Sequence, residues 1–331
     1  MAHPQVRHLP GRHCASSGLR DLCEHHGLSF SEAMCFGLGA GLGIWYFDPG
    51  GPSRMVHVRS ADVEDRFFTR LGSSFAWERF DNPGDGENAL IRALDEGRPV
   101  LLQTDIFHLP YYRTSTHFPG HVIVAWGFDP GRRVFFVTDT ERPEVQEVPF
   151  KAMRKARYAV GGFLDMRGNQ FAPQSLSRPG DLAALVREAL VENSARLLNP
   201  GPDHQGLGAL EKWLSELDAW AGFDDWKWTA RLAYQVIEKR GTGGGGFRLM
   251  YADFLDEAAR LDPEIAASGL ALGMRELGAA WTDLAMALKD ASEREAPDFS
   301  GVGQGLARVI SMEREHHERS LGLKGAGEAD V

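Results

Sequence analysis

The stretch that decides the fold runs Gly120-His121-Val122-Ile123-Val124-Ala125-Trp126-Gly127-Phe128, then Asp129-Pro130-Gly131-Arg132-Arg133, then Val134-Phe135-Phe136-Val137-Thr138-Asp139. Two runs rich in β-branched and aromatic residues flank a segment carrying Asp, Pro and Gly, which predicts an antiparallel hairpin. Pairing through residues 129–133 brings His121 and Asp139 to the same open end. Outward from the hairpin, residues 99–104 read as another strand, after a helix over 88–96 closed by Gly97. Residues 56–58 and 158–165 supply two more short strands. Ahead of them, apolar residues at intervals of three and four predict a helix over 13–26, opened after Pro10-Gly11 and stopped by Gly27. A second short helix begins near Ser29 and runs into Gly37, Gly39, Gly41 and Gly43. Glycine at that density disfavours an ordinary helix and suits close backbone packing or a wall against a ligand. Helices followed by an antiparallel meander make an α+β domain.

Beyond residue 168 the composition turns to Gln, Ser, Pro and Asn, and then becomes helical. Helices are expected over 182–198, 206–220, 226–240, 249–261, 265–293 and 303–321. The expected organisation is a first domain over 1–167, a linker over 168–178, an all-α domain over 179–322 and a tail over 323–331. The glycine run 241–246 interrupts the helices. Three uses stay open for it: a substrate lid, a contact between subunits of a homodimer, or a plain interhelical linker. A nucleotide loop would need a Gly-Lys-Ser/Thr ending after a strand, whereas this run ends Gly-Phe-Arg after a helix. Arg248 reads equally as an anion anchor or an ordinary surface charge.

The chain has 331 residues with 36 Lys+Arg against 46 Asp+Glu, a formal charge of −10. Residues 1–167 hold 19 basic and 20 acidic side chains, so the excess acid lies in the second half. The cations are scattered, which argues against nucleic acid as a partner. Three cysteines, all within the first 35 residues, do not form a secreted disulfide framework. With no apolar signal segment and no span long enough to cross a bilayer, a cytoplasmic location is expected.

Cys14 falls in the first turn of the first helix, where unpaired N–H groups and the positive dipole end favour thiolate. A nucleophilic thiol needs a base, and the base needs an orienting partner. His121 and Asp139 supply both at one hairpin end, through an Nδ1–H to carboxylate contact that leaves Nε2 for the thiol. Read singly, each of the three has a bland alternative as a core thiol, a strand histidine and a turn aspartate. Cys23 and Cys35 read as buried thiols. The pairs His25-His26 and His316-His317 lack the i,i+4 spacing of a helical metal site, and no metal is expected.

These residues also carry a family resemblance. His13-Cys14-Ala15-Ser16-Ser17-Gly18-Leu19-Arg20-Asp21-Leu22, with His26-Gly27-Leu28, Ser31-Glu32-Ala33 and Phe36-Gly37-Leu38-Gly39, resembles the butirosin biosynthesis protein H family. The glycine run with Phe247-Arg248, Tyr251 and Phe254-Leu255 is similar to the helical domain that accompanies it. The resemblance implies a papain-like (double-glycine-peptidase-like) N-terminal domain followed by an all-α C-terminal domain. It implies a cysteine-dependent acyltransferase of natural-product, antibiotic-type biosynthesis, with Cys14 as nucleophile, His121 as base and Asp139 as orienting acid. The donor would be an acyl carrier protein thioester and the acceptor a small amine. The phosphopantetheine would belong to the donor, so this chain needs no cofactor of its own. Papain-like peptidases place a Gln six residues before the Cys, where this chain has His8. His8, His13 and the Cys14 backbone N–H are therefore the candidate oxyanion donors. Gly243, Gly244, Gly245 and Arg248 are the expected substrate contacts. A peptidase, amidase or thioester hydrolase of the same fold, an intramolecular cyclase and a non-catalytic binding module are the competing readings.

Overall fold

The computed structural model describes residues 6–161, 164–199 and 201–323. Helices α1 (Cys14–His25) and α2 (Glu32–Leu38) lead into the hairpin β1 (Leu42–Phe47) and β2 (Met55–Arg59). Next come α3 (Val63–Arg70), α4 (Pro83–Asp95), β3 (Val100–Asp105), β4 (Pro119–Asp129), β5 (Val134–Asp139), β6 (Arg142–Pro149), α5 (Phe150–Arg157) and β7 (Gln170–Phe171). The remainder is helical: α6 (Leu182–Leu198), α7 (Gly206–Glu216), α8 (Trp226–Glu238), α9 (Arg248–Ala259), α10 (Pro263–Ser268), α11 (Leu270–Glu293) and α12 (Ser300–Leu321). The protein is thus mixed α and β, with a sheet in its N-terminal region and helices in its C-terminal region. Two compact units divide it, one of Met1–Cys35 with Glu64–Pro179, the other of Phe36–Val63 with Gly180–Val331.

In the first unit the sheet order is β6-β5-β4-β3-β7, every neighbour antiparallel. The hairpin forms as its chemistry requires: Asp129 Oδ1 accepts from the N–H groups of Gly131 and Arg132, at 2.9 and 3.0 Å. Strand β4 is buried on both faces. Gly18 lets α1 lie against Leu101 and Val124, because a Cβ there would stand only 3.0 and 3.2 Å from them. On the other face Ile123 and Ala125 join Leu90, Leu94, Phe135, Phe150 and Met153 in one core. Each such large apolar side chain contributes about 1.5–3 kcal/mol of burial.

The sheet departs from expectation at three places. Residues 158–165 form no strand among those described: Gly161 has φ +116° and Val160 is fully exposed, while residues 162–163 lie outside the described residues. The fifth strand is instead β7, paired to β3. Strand β6 carries no β-rich run, since Arg142-Pro143-Glu144-Val145-Gln146-Glu147 is charged and proline-bearing, as suits a sheet edge. Helix α3 was equally silent in the apolar pattern.

In the second unit β1 and β2 pair antiparallel. Tyr46 stacks on Trp213, whose ring stacks in turn on Trp220 (5.9 and 5.7 Å between centroids), and Trp220 Nε1 donates to the Tyr46 hydroxyl at 3.0 Å. The glycine-rich entry is a close-packing device: a Cβ on Gly37 would fall 2.2 Å from the Phe254 ring. The helix expected over 265–293 is two helices, α10 and α11. Gly269, at φ +68°, ends one and starts the other. Of the expected tail, residues 324–331 lie outside the described residues.

Candidate active site

Cys14 is the first residue of α1 and is 8% exposed. The turn that presents it is fixed by His13, whose Nδ1 accepts from the Ser16 N–H at 3.2 Å as the N-cap. Glu32 braces the same turn by accepting from the backbone N–H groups of Arg12 and His13, at 2.8 and 2.7 Å. His13 is therefore a capping residue whose Nδ1 serves as an acceptor.

The β4–β5 register sets Val124 opposite Thr138, so His121 and Asp139 meet beyond it at the open end. Nε2 of His121 lies 2.8 Å from Asp139 Oδ1, and both side chains are buried. The orientation is the reverse of the expected one: Nε2, at the far end of the imidazole, spans the gap to the neighbouring strand, which leaves Nδ1 for other contacts. A side-chain hydrogen bond also joins His121 to Cys14. The structure thus brings the three residues together.

Electrostatics in this cluster run against burial. Desolvation alone would push His121 down, but the Asp139 carboxylate and the hydrogen bonds to Asp139 and Cys14 outweigh it and raise His121 to about 10. Burial likewise would raise Asp139, yet the His121 charge, its hydrogen bond, the Tyr111 hydroxyl and the Thr140 N–H hold it below the usual carboxylate range. Tyr111 donates to Asp139 Oδ2 at 2.6 Å, and the Tyr112 hydroxyl lies 3.3 Å from Oδ1 and 3.1 Å from His121 Nε2. Burial beside that carboxylate pushes both phenols up, so they stay protonated donors. Sequence reading missed this pair. The only available signal was two adjacent tyrosines in the connection just before His121.

His8 has a different task from the one expected of it. Its Nδ1 lies 2.5 Å from Asp21 Oδ2 and its Nε2 2.9 Å from the Arg142 carbonyl, so both nitrogens are engaged away from an oxyanion at Cys14. Asp21 also accepts from Arg20 and from the buried Thr138 hydroxyl, which tethers α1 to β5. Of the three candidate donors, the backbone N–H at the start of α1 remains.

Burial corrects Gly244, Gly245 and Arg248 as substrate contacts, whereas Gly243 keeps an exposed surface. The loop is tied down: Thr242 Oγ1 donates to the Ile237 carbonyl at 2.7 Å, Gly244 N–H to Thr242 Oγ1, and Gly245 N–H to Glu238. Arg248 is wholly buried. Its Nε donates to Glu313 at 2.9 Å, its Nη1 to the Gly246 carbonyl at 2.8 Å, and its guanidinium lies 4.5 Å from the Trp281 ring. A cation so enclosed is a core ion pair and cannot meet a ligand. The same core holds Ser194, His317 and Glu313 in serial hydrogen-bond distance, 3.0 Å at each step. All three have no exposed surface, so this serine–histidine–glutamate array is sealed.

Among the described residues no three His, Cys, Asp or Glu side chains converge as metal ligands, and no helix is long and apolar enough to cross a membrane. Residues 13–140 match the family described as butirosin biosynthesis protein H, N-terminal. Residues 151–319 match a domain of unknown function (DUF4872). The chain belongs to the butirosin biosynthesis protein H-like family, with its N-terminal and C-terminal domains in that order. No relative was found among curated proteins.

Proposed function

We propose that the chain is a cysteine-dependent acyltransferase with a papain-like first unit. It would move an acyl group from a carrier-protein thioester through Cys14 to a small amine. The observation that carries this reading is the buried array of Cys14, His121 and Asp139, with the cysteine at a helix start. The family name supports a place in antibiotic or other natural-product biosynthesis.

In the first half-reaction the Cys14 sulfur attacks the thioester carbonyl. Electron density moves to the carbonyl oxygen, near the N–H groups that open α1. The intermediate collapses, the donor thiol leaves with the proton held by His121, and acyl-Cys14 remains. Exchanging one thioester for another is nearly isoenergetic, so binding and positioning carry the rate. In the second half-reaction a neutral amine forms the N–C bond, the C–S bond breaks onto Cys14, and His121 takes the proton from nitrogen. Asp139 keeps the imidazole oriented and stabilises its charged form. No cofactor of this chain enters the route, since the phosphopantetheine comes and goes with the donor. A cytoplasmic location and a carrier docked on the arginine-bearing first half complete the proposal.

Intact mass after exposure to a panel of acyl N-acetylcysteamine thioesters tests it. Wild type should gain one acyl group and Cys14→Ala none. If no thioester adds mass to the wild type, the acyl-enzyme reading fails. Products formed with and without added amines then separate transfer from hydrolysis and from cyclisation.

A further inference from the structure

The connection between β3 and β4 carries a second carboxylate–imidazole pair, outside the array described above. Asp105 is buried, and its Oδ2 lies 2.6 Å from Nδ1 of His117, whose side chain is 56% exposed. Asp105 Oδ1 accepts from the backbone N–H groups of Phe107 and Phe118, at 3.1 and 2.9 Å. Burial alone would raise this carboxyl, but His117 and the two N–H groups outweigh it and hold it below the usual range. An ionised carboxylate only accepts, so Nδ1 of His117 carries the hydrogen and Nε2 is the atom left for other contacts. The ring stacks on Phe107 at 4.0 Å and 21°, and Phe107 is itself 41% exposed. The titratable neighbours are His108, its ring 6.0 Å away, and Lys155 of α5 beside His108. One nitrogen tied and one face covered is how a protein aims an imidazole.

The pair stands at the end of the ladder that carries His121: Thr104 faces His121, Asp105 faces Pro119, and the Phe118 ring lies 6.4 Å from that of His121. Amide formation there raises a proton problem that one base does not solve. A primary amine is an ammonium at neutral pH and has no lone pair. It must lose one proton before the N–C bond forms and a second afterwards, and His121 takes only one.

We propose that Asp105 and His117 form a second proton-transfer site, which deprotonates the ammonium of the incoming acceptor. R–NH3⁺ gives a proton to Nε2 of His117. The freed lone pair forms the bond to the acyl carbon, the C–S bond breaks with its electrons on Cys14, the second N–H proton passes to His121, and His117 returns its proton to water. This rests on the acyl-Cys14 reading above.

The test loads wild type, His117→Gln and Asp105→Asn with acyl groups from N-acetylcysteamine thioesters. It then follows discharge to ethylamine, an ammonium at neutral pH, and to trifluoroethylamine, which is largely neutral there. All three proteins should load alike. Discharge to ethylamine should fall about 100-fold in both variants, the ordinary worth of a positioned base, while discharge to trifluoroethylamine should be unchanged. Equal losses with both amines would make the pair a staple of its loop and overturn the proposal, as would no loss with either. A wild type that never loads overturns the acyl-enzyme reading and this inference together, whereas normal loading with indifferent discharge overturns this inference alone.

Discussion

Nε2 of His121 and Oδ1 of Asp139 lie 2.8 Å apart in a buried setting, and His121 is raised from its ordinary 6.5 to about 10. A group whose pKa is higher in the folded than in the unfolded state stabilises the fold below its unfolded value. That stabilisation is lost as pH rises through the folded value. The contribution of His121 should therefore be complete below about pH 6.5 and gone above about pH 10. Urea unfolding of wild type and His121→Gln should show their largest stability difference near pH 6 and a shrinking one toward pH 10. A difference that grows with alkalinity would contradict the pairing.

Tyr111 gives Asp139 a hydrogen bond of 2.6 Å. Hydrogen bonds to charged groups are worth about 1.5–3 kcal/mol, so Tyr111→Phe should lose about that much unfolding free energy. Because this donor helps to hold Asp139 low, the acid limb of the acylation rate against pH should move upward in the variant. An unmoved limb would mean that the hydroxyl does not tune the carboxylate.

Arg248 and Glu313 form a wholly buried ion pair, with Glu313 held down to about 2. Burial opposes that value, and the Arg248 charge with the His317 and Trp281 hydrogen bonds outweighs it. Removing one partner strands the other: Arg248→Met should cost about 3–5 kcal/mol, whereas the double variant Arg248→Met, Glu313→Leu should recover most of it. The stabilisation by Glu313 is present above its ordinary 4.5 and lost as pH falls through about 2. Per folded molecule, acyl loading should match wild type in both variants, which separates this core from a substrate site.

Gly245 sits at φ +59°, and a Cβ there would stand 2.7 Å from the Gly278 carbonyl oxygen. Gly245→Ala combines left-handed strain with a clash against helix backbone, so a loss of at least about 1–3 kcal/mol is expected in thermal or urea unfolding. A neutral outcome would return the loop to the status of a loose lid.

What could be read in the sequence was whatever local chemistry decides. Continuous β-branched and aromatic runs and the Asp129-Pro130-Gly131 turn settle which ends of β4 and β5 meet, and that places His121 beside Asp139 without any tertiary knowledge. Asp181 announces the start of α6 as a capping residue. The nitrogen that faces Asp139 was not legible, because it follows from how the ring fits among Tyr111, Tyr112 and the strands. Nor was the role of Arg248: its partner Glu313 lies on α12, far along the chain, and a run of glycines looks the same whether it is sealed or open. β6 stayed hidden because an edge strand needs few apolar residues and tolerates proline.

The route of the chain between its two units has a consequence for inheritance. It leaves the first unit after Cys35, builds β1 and β2 into the second, and returns at Glu64 before the strands that carry His121 and Asp139. Cys14 and His121 are thus written on either side of an excursion into the other unit. No single cut or recombination point can separate the two units intact, so a gene encoding either one alone would need two joins made together. Truncation near residue 170, the boundary that composition suggests, would leave the helical remainder without its hairpin.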